Sequence, residues 1–424
     1  MGIAGIPKGR RQSRASRRVE RDQRVPKNDS YLDFVVPLLW PEPASVIRAS
    51  RLCLSRRAST YVVVPSASRP KLLVPTRPRR VTAAAIRNFK TASSARERAL
   101  IGALAASARI GLVDLLPDRL RVVPGGSDPP AGIDGHLSVV LGRQVWVSLY
   151  VSRARAVRKP LLQVIDAAGR TCAFAKLGVD PFTRALVRAE GEAVRILSLH
   201  EWDTLRMPTV LHAGRWHGHE LLVQGAFSRG VAPRENSPEL RRAMREVACV
   251  HGIVSAPLGI SSYWEHVLGR IAALPGGEYQ PLILRLAAAI ERIGGRTDLA
   301  FGSSHGDWAP WNMTTTGGQL LAWDWEKFET DVPVGFDAVH FSIQGAVVLS
   351  GTAPAAAFAA ALRNAEQLLA GLSSRSDAGE LVVLLYGLHI ALRYIEDGEL
   401  SAGAGRMSRL ATWLPDLLGM AQGR

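Results

Sequence analysis

Cysteine is scarce in this sequence, and its scarcity excludes two ways of stabilising a fold. The 424 residues include three cysteines, Cys53, Cys172 and Cys249, which stand far apart and form no Cys-x-x-Cys pair. A disulfide framework and a thiolate zinc site both need more cysteines, more closely spaced. Long apolar runs are also lacking, because polar or charged residues interrupt each stretch that approaches the length of a membrane span. We therefore expect a cytoplasmic protein without a membrane segment.

Acidic residues are scarce as well, but only in the N-terminal part. Residues 1–100 contain 22 Lys and Arg against 6 Asp and Glu, whereas the remainder contains 31 of each, so the formal net charge of +16 arises N-terminally. Residues 1–29 offer little to bury and are expected to form a disordered basic arm. Binding of an anionic partner by this arm is the alternative. No specific nucleic acid is expected, because residues 1–130 match no known nucleic-acid-binding fold.

Beyond the arm, residues 30–135 are expected to form an N-terminal accessory α/β segment. Two β-type runs at 60–65 and 71–75 flank a turn rich in Ser, Pro and Arg, as in a hairpin. An alanine-rich stretch over 95–110 predicts a helix. The segment carries no motif with a recognisable function.

Residues 136–227 show a regular order of elements. Three β-runs at 145–151, 161–167 and 172–177 are followed by an amphipathic helical pattern over 181–200 and by two short β-runs. Residues 228–424 are mainly helical in pattern. The sequence therefore predicts an α+β fold with two lobes, an antiparallel-sheet N-lobe and a mainly helical C-lobe.

The residues with the clearest chemistry lie in the segment 305–312, His-Gly-Asp-Trp-Ala-Pro-Trp-Asn. Asp307 and Asn312 stand five residues apart with Pro310 between them, which favours an irregular loop. A carboxylate at Asp307 suits the orientation of a hydroxyl proton, and the amide oxygen of Asn312 suits a metal ion. Twelve residues later an apolar run ends at Asp324, where a strand would deliver a carboxylate beside the loop as the principal Mg²⁺ ligand.

The pattern HGDxxxxN, an intervening hairpin and a following Asp-Trp-Glu resembles the aminoglycoside phosphotransferase family, relatives of choline and homoserine kinases. The resemblance covers roughly residues 140–395 and implies a protein-kinase-like fold. It implies an ATP-dependent phosphotransferase, using ATP or another nucleoside triphosphate with Mg²⁺ and a small hydroxyl-bearing acceptor. Asp307 is then the catalytic base, and Asn312 and Asp324 are the magnesium ligands. His305 and Asp337 are implied as structural residues of the loop.

Two more positions match the family. Lys176 ends an apolar strand, where the family places the lysine that contacts the nucleotide phosphates, and Glu190 resembles its ion-pair partner. Glu192 is the alternative partner. Two helical steps separate the two glutamates by about 200° around the axis, so both cannot face Lys176.

The sequence departs from the family in the loop 152–159, which contains no glycine. Close approach of the backbone to phosphates is harder without glycine. We expect the side chains of Arg153, Arg155 and Arg158 to contact the nucleotide instead. The departure also permits the alternative function, a nucleotide-binding pseudokinase or scaffold whose basic N-terminal region binds a polyanion.

The sequence leaves the acceptor open. Aminoglycosides are polycations and would favour an acidic pocket. The clearest acidic group, Glu396, Asp397 and Glu399, lies near the C-terminus, where it could reach the cleft or form a solvated face.

Overall fold

The chain is described by a computed structural model that covers residues 28–49, 58–88, 95–125, 132–151, 158–227, 230–235, 237–372, 378–400 and 405–424. The predicted basic arm lies outside these ranges except for Asn28 and Asp29, which begin the first helix. Within the described ranges, no helix has the length and apolar character needed to cross a membrane.

Strands are found throughout the described residues. In chain order they are β1 (Ser45–Ala49), β2 (Ser59–Val64), β3 (Leu72–Pro75), β4 (Arg119–Val123), β5 (Val145–Tyr150), β6 (Leu161–Asp166), β7 (Thr171–Gly178), β8 (Leu205–Arg206), β9 (Val210–Trp216), β10 (His219–Gly225), β11 (Val254–Pro257), β12 (Asp298–Ser304), β13 (Met313–Thr316), β14 (Gln319–Ala322) and β15 (Glu329–Pro333).

Helices are likewise found along the whole described chain. In chain order they are α1 (Asn28–Leu39), α2 (Arg79–Arg87), α3 (Ala95–Ile110), α4 (Ile133–Val140), α5 (Pro181–Leu197), α6 (Pro238–Cys249), α7 (Ser262–Ala272), α8 (Gln280–Gly294), α9 (Phe336–Gln344), α10 (Pro354–Arg363), α11 (Ala365–Leu369), α12 (Gly379–Glu396) and α13 (Leu414–Gln422).

The predicted fold class is confirmed by the arrangement of these elements. Nine strands of the described chain form one antiparallel sheet in the order β1-β4-β2-β3-β5-β6-β7-β10-β9. Its second half, β5-β6-β7-β10-β9 with helix α5 after β7, consists of the residues predicted to form the N-lobe. The predicted hairpin of the accessory segment is also present, as β2 paired with β3.

The accessory segment is built into the N-lobe sheet rather than set beside it. Strand β3 pairs with β5, with Leu73 opposite Leu149. Tyr31 and Trp40 at the two ends of α1 share one buried cluster with strand residues such as Leu162. The predicted boundary between residues 135 and 136 falls inside α4, which packs on β5. A continuous sheet buries apolar surface on both sides of the junction, which stabilises the two parts together.

Strand β7 and helix α5 place two charged residues toward each other. Alternation along β7 buries Ala173, Ala175 and Leu177 on one face, so that Lys176 points to the other. Helix α5 begins with a capping box in which the Asp180 carboxylate accepts from the backbone N–H of Thr183 at 2.8 Å. Starting from this cap, the helix packs on β7, and its buried face carries the second charged residue, Glu190.

The C-lobe combines helices with two small sheets in the described part of the chain. Strands β11, β12 and β15 form one, and β13 and β14 form a hairpin that β8 extends. In the hairpin Met313 lies opposite Ala322, and the backbone N–H of Trp323 donates to the carbonyl of Asn312 at 3.0 Å. This pairing brings the residues after β14 next to the loop that precedes β13.

Candidate active site

The loop 305–312 follows the buried strand β12 and turns sharply at Gly306. The φ angle of Gly306 is +77°, and a Cβ there would lie 2.0 Å from the carbonyl oxygen of Lys327, so the turn requires glycine. The His305 side chain bridges two backbone segments. Its Nδ1 accepts from the N–H of Asp307 at 3.2 Å, and its Nε2–H donates to the carbonyl of Trp323 at 3.1 Å. The bracing implied for His305 is therefore present.

Asp337 holds the backbone of the loop from the first turn of α9. Its carboxylate accepts from the N–H groups of His305 at 2.9 Å and Gly306 at 3.2 Å, and from the Ser304 hydroxyl at 2.8 Å. Burial raises the pKa of Asp337, and these hydrogen bonds and nearby His305 act against that increase. The predicted structural position of Asp337 is confirmed.

Asp307 and Asn312 contact each other directly. The Asn312 Nδ2 donates to Asp307 Oδ2 at 2.8 Å and to the Asp307 carbonyl at 3.0 Å. This orientation leaves the amide oxygen of Asn312 available to a cation. Loss of hydration acts to raise the pKa of Asp307, but a hydrogen bond with His340 and the charge of Arg393 outweigh it and hold that pKa well below its usual value.

Lys176, Glu190 and Asp324 meet at the junction of the two lobes. The Lys176 Nζ lies 2.7 Å from both Glu190 carboxylate oxygens and 2.6 Å from Asp324 Oδ1. Glu190 is fully buried, whereas the alternative partner Glu192 is exposed and pairs with Arg195. The preference for Glu190 as the partner of Lys176 is therefore confirmed. Burial acts to lower the pKa of Lys176, and Asp324 and Glu190 overcome it and raise that pKa.

The same region offers oxygen atoms of the kind that a hard cation binds. Carboxylate oxygens of Glu190, Asp324 and Glu326 lie within 4.8 Å of one another. Asp324 has a left-handed backbone (φ 72°, ψ 51°), which turns the chain immediately after β14. Lys176 contacts both Glu190 oxygens but only Oδ1 of Asp324, so the second oxygen of Asp324 and the amide oxygen of Asn312 are atoms that could hold Mg²⁺, as the sequence predicts.

The three predicted arginine contacts have different outcomes. Arg153 and Arg155 lie outside the described residues. Arg158 is described, and the structure contradicts its predicted place at the phosphates. It is 1% exposed, and its guanidinium carbon lies 3.3 Å from the centroid of the Tyr31 ring. A planar guanidinium gains from such stacking in a desolvated site, so Arg158 joins the loop end to helix α1.

We predict that Arg158→Gln lowers thermal stability and leaves nucleotide affinity unchanged. Loss of the stacked guanidinium removes a desolvated cation–π contact of about 2 kcal/mol. Differential scanning fluorimetry measures the melting temperature, with Arg170→Gln as the control because Arg170 is a largely exposed arginine of the same lobe. Weaker nucleotide binding at an unchanged melting temperature would show that Arg158 contacts the nucleotide, as predicted from the sequence.

Lys159 and His340 lie in the site but were not predicted from the sequence. Lys159 forms an ion pair with Glu326, and both side chains are largely buried, at 13% and 14% exposure. Burial lowers the pKa of Lys159, which the negative charge of Asp324 partly offsets. His340 contacts Asp307 from α9. Their only sequence signals were a lysine at the end of the loop 152–159 and a histidine three residues after Asp337.

Comparison with solved structures finds similarity between this chain and phosphotransferases. No known family model matches the sequence, and neither does any curated protein. An aminoglycoside phosphotransferase in a ternary complex with ADP and hygromycin B is 11% identical and matches 68% of this chain and 98% of its own, with a TM-score of 0.46. Choline kinase from Streptococcus pneumoniae is 13% identical over 68% and 98%, with a TM-score of 0.41.

A third solved structure is an amicoumacin kinase in complex with AMP-PNP and Ca²⁺. It is 14% identical over 65% of this chain and 88% of its own, with a TM-score of 0.40. Each of the three TM-scores lies below 0.5.

Proposed function

We propose that this protein transfers the γ-phosphoryl group of ATP, or of another nucleoside triphosphate, to a hydroxyl group of a small molecule. One observation carries the proposal: Lys176 and Glu190 from the N-lobe meet Asp324 of the C-lobe beside the Asp307–Asn312 pair. Phosphoryl transfer needs a cation for the phosphates, oxygen ligands for magnesium and a carboxylate for the acceptor. These residues supply all three.

Each residue has a distinct part in the proposed reaction. Mg²⁺, held by Asp324 and Asn312, would neutralise charge on the phosphates. Lys176 contacts the phosphates, and Glu190 holds its ammonium in place. The acceptor oxygen attacks the γ-phosphorus in line, the bond to the β-phosphate oxygen breaks, and Asp307 takes the hydroxyl proton. The Asp307 side chain is 31% exposed, which leaves it open to an acceptor.

The acidic residues near the C-terminus do not favour a polycationic acceptor. Glu396 Oε2 lies 2.8 Å from Arg270 Nη2, and Asp397 Oδ2 lies 2.6 Å from Lys327 Nζ. Each of these two carboxylates thus has a basic partner. A neutral or weakly charged hydroxylated metabolite fits this surface better than an aminoglycoside.

A screen of hydroxylated metabolites and aminoglycosides for acceptor-dependent consumption of MgATP tests the proposed function. We expect at least one neutral hydroxyl compound to increase ADP release, and aminoglycosides to be poorer acceptors. Binding of MgATP without turnover on any acceptor would favour the pseudokinase interpretation. Absence of nucleotide binding would refute both.

We predict that Lys159→Gln raises KM for MgATP by about tenfold or more. Its ammonium lies among the charges of Asp324, Lys176 and Glu190, at the end of the glycine-free loop. A charge-assisted hydrogen bond contributes about 1.5–3 kcal/mol, and the substitution removes one from the phosphates. Initial rates at varied MgATP concentration measure the effect.

Lys71→Gln is the matched control, because Lys71 is an exposed lysine that immediately precedes β3. It should leave KM for MgATP unchanged. Equal KM values for wild type and Lys159→Gln would show that Lys159 pairs with Glu326 for structural reasons only.

A further inference from the structure

A buried chain of hydrogen bonds extends behind the carboxylate of Asp307. His340 Nε2 lies 3.1 Å from Asp307 Oδ1, and the hydroxyl of Tyr386 lies 3.0 Å from His340 Nδ1. His340 and Tyr386 are each 2% exposed. The chain therefore connects Asp307 to helix α12 through α9, away from solvent.

The chemistry of the three groups assigns the hydrogens. An ionised carboxylate accepts hydrogen bonds and cannot donate them, so the Nε2 of His340 carries its proton. In a neutral imidazole the other nitrogen is then an acceptor, and the Tyr386 hydroxyl donates to Nδ1. Burial lowers the pKa of His340, which agrees with a neutral ring. Tyr386 thus selects the tautomer that can bind Asp307.

His340 occupies a position that complements Asp337. The two residues stand three apart on α9, so they lie on the same side of the helix. Asp337 binds the backbone N–H groups of His305 and Gly306, whereas His340 binds the side chain of Asp307. The same face of α9 therefore binds the backbone of the loop and orients the Asp307 carboxylate.

We infer that His340 is a positioning residue for Asp307, and that Tyr386 fixes His340 in the tautomer this role requires. The inference rests on the proposed function, in which Asp307 takes the acceptor proton. His340 holds Oδ1 and Asn312 holds Oδ2, so the carboxylate cannot rotate freely. Removing a buried partner that orients a reacting group typically lowers activity about 10- to 100-fold.

Other charged and titratable groups also lie around this chain. Their presence means that both the ring and the carboxylate are held in a crowded polar environment. They are Arg393, His389 and Tyr394 of α12, together with His305, Asp324 and Glu329.

The first test measures ADP release from MgATP, with water or an identified acceptor, for four variants. We expect His340→Phe and Tyr386→Phe to lower kcat about 10- to 100-fold while KM for MgATP changes less than about twofold. His340→Gln keeps a nitrogen donor near the Nε2 position and should recover much of the loss. Tyr394→Phe is the control, because Tyr394 is a buried tyrosine of α12 whose hydroxyl accepts from Gln344 at 3.2 Å. Unchanged kcat in His340→Phe would overturn the inference.

The second test needs no turnover. Nitrogen NMR of protein labelled with ¹⁵N-histidine should show a neutral Nε2–H tautomer for the resonance that disappears in His340→Gln. That resonance should shift in Tyr386→Phe and stay unchanged in Tyr394→Phe. An Nδ1–H tautomer in the wild type would overturn the inference. A wild type that shows the expected tautomer but transfers no phosphoryl group would refute the proposed function instead.

Discussion

Asp307→Asn is expected to lower phosphoryl transfer by about 10²- to 10⁴-fold while the protein stays folded. The substitution keeps the side-chain volume but removes the carboxylate that takes the acceptor proton. An amide at this position can accept from only one of the two donors, Asn312 and His340, through its single oxygen, so the loop must keep its shape through contacts other than this side chain. Its backbone is held independently by Asp337 and His305. Initial rates of product formation measure the change, and circular dichroism monitors the fold.

The control for this prediction is MgATP binding. Asp307 is not one of the proposed ligands of the nucleotide or the metal, so calorimetry should give a similar affinity for wild type and variant. Wild-type turnover in Asp307→Asn would exclude Asp307 as the base. Loss of both turnover and folding would assign it a structural role.

Asp324→Asn should produce the second large effect, a loss of Mg²⁺-dependent nucleotide affinity of about tenfold or more. A hard cation loses its main charged ligand, and an amide oxygen replaces it poorly. The variant should remain folded, because Lys176 keeps both contacts with buried Glu190. Titration of the nucleotide with and without Mg²⁺ separates the metal-dependent part of the affinity.

Glu192→Gln is the matched control for Asp324→Asn. Glu192 is an exposed carboxylate of α5 that pairs with Arg195, and its loss should leave MgATP affinity unchanged. If Asp324→Asn binds MgATP as tightly as the wild type, Asp324 is not the principal ligand. The Lys176–Asp324 ion pair would then be a structural contact between the lobes.

Local sequence signals predicted the strands and the helix of residues 136–227 well. The runs at 145–151, 161–167 and 172–177 correspond to β5, β6 and β7, since alternating apolar residues determine which face a strand buries. Helix α5 was predicted from its 3.6-residue periodicity. The same periodicity showed that Glu190 and Glu192 cannot both face Lys176, and the resemblance to the family favoured Glu190. Such relations depend only on spacing within one element, so they can be predicted from the sequence.

Relations between distant parts of the chain were not predictable in the same way. The joining of β3 to β5 depends on a pairing between strands about 75 residues apart, as the opposition of Leu73 and Leu149 shows. The position of Arg158 on Tyr31 likewise depends on a contact between distant parts of the chain. An arginine beside a glycine-free loop has the right chemistry for phosphates, but stacking on a buried ring of α1 requires contacts that no local pattern encodes.

The role of His340 in the candidate site could not be predicted from the sequence for the same reason. A histidine on an apolar helix is ordinarily a core residue, and its link to Asp307 appears only once α9 packs behind the loop. Tyr386 lies 46 residues further along the chain. Tertiary packing, rather than spacing, brings the two together.

Phosphorus NMR of the wild-type protein with MgATP and the acceptor panel tests the central claim most directly. The account predicts that a phosphomonoester resonance of a small acceptor grows as the ATP resonances decline and those of ADP appear, and that Asp307→Asn shows neither change. ATP resonances that broaden on binding yet give neither a phosphomonoester nor ADP with any acceptor would contradict it.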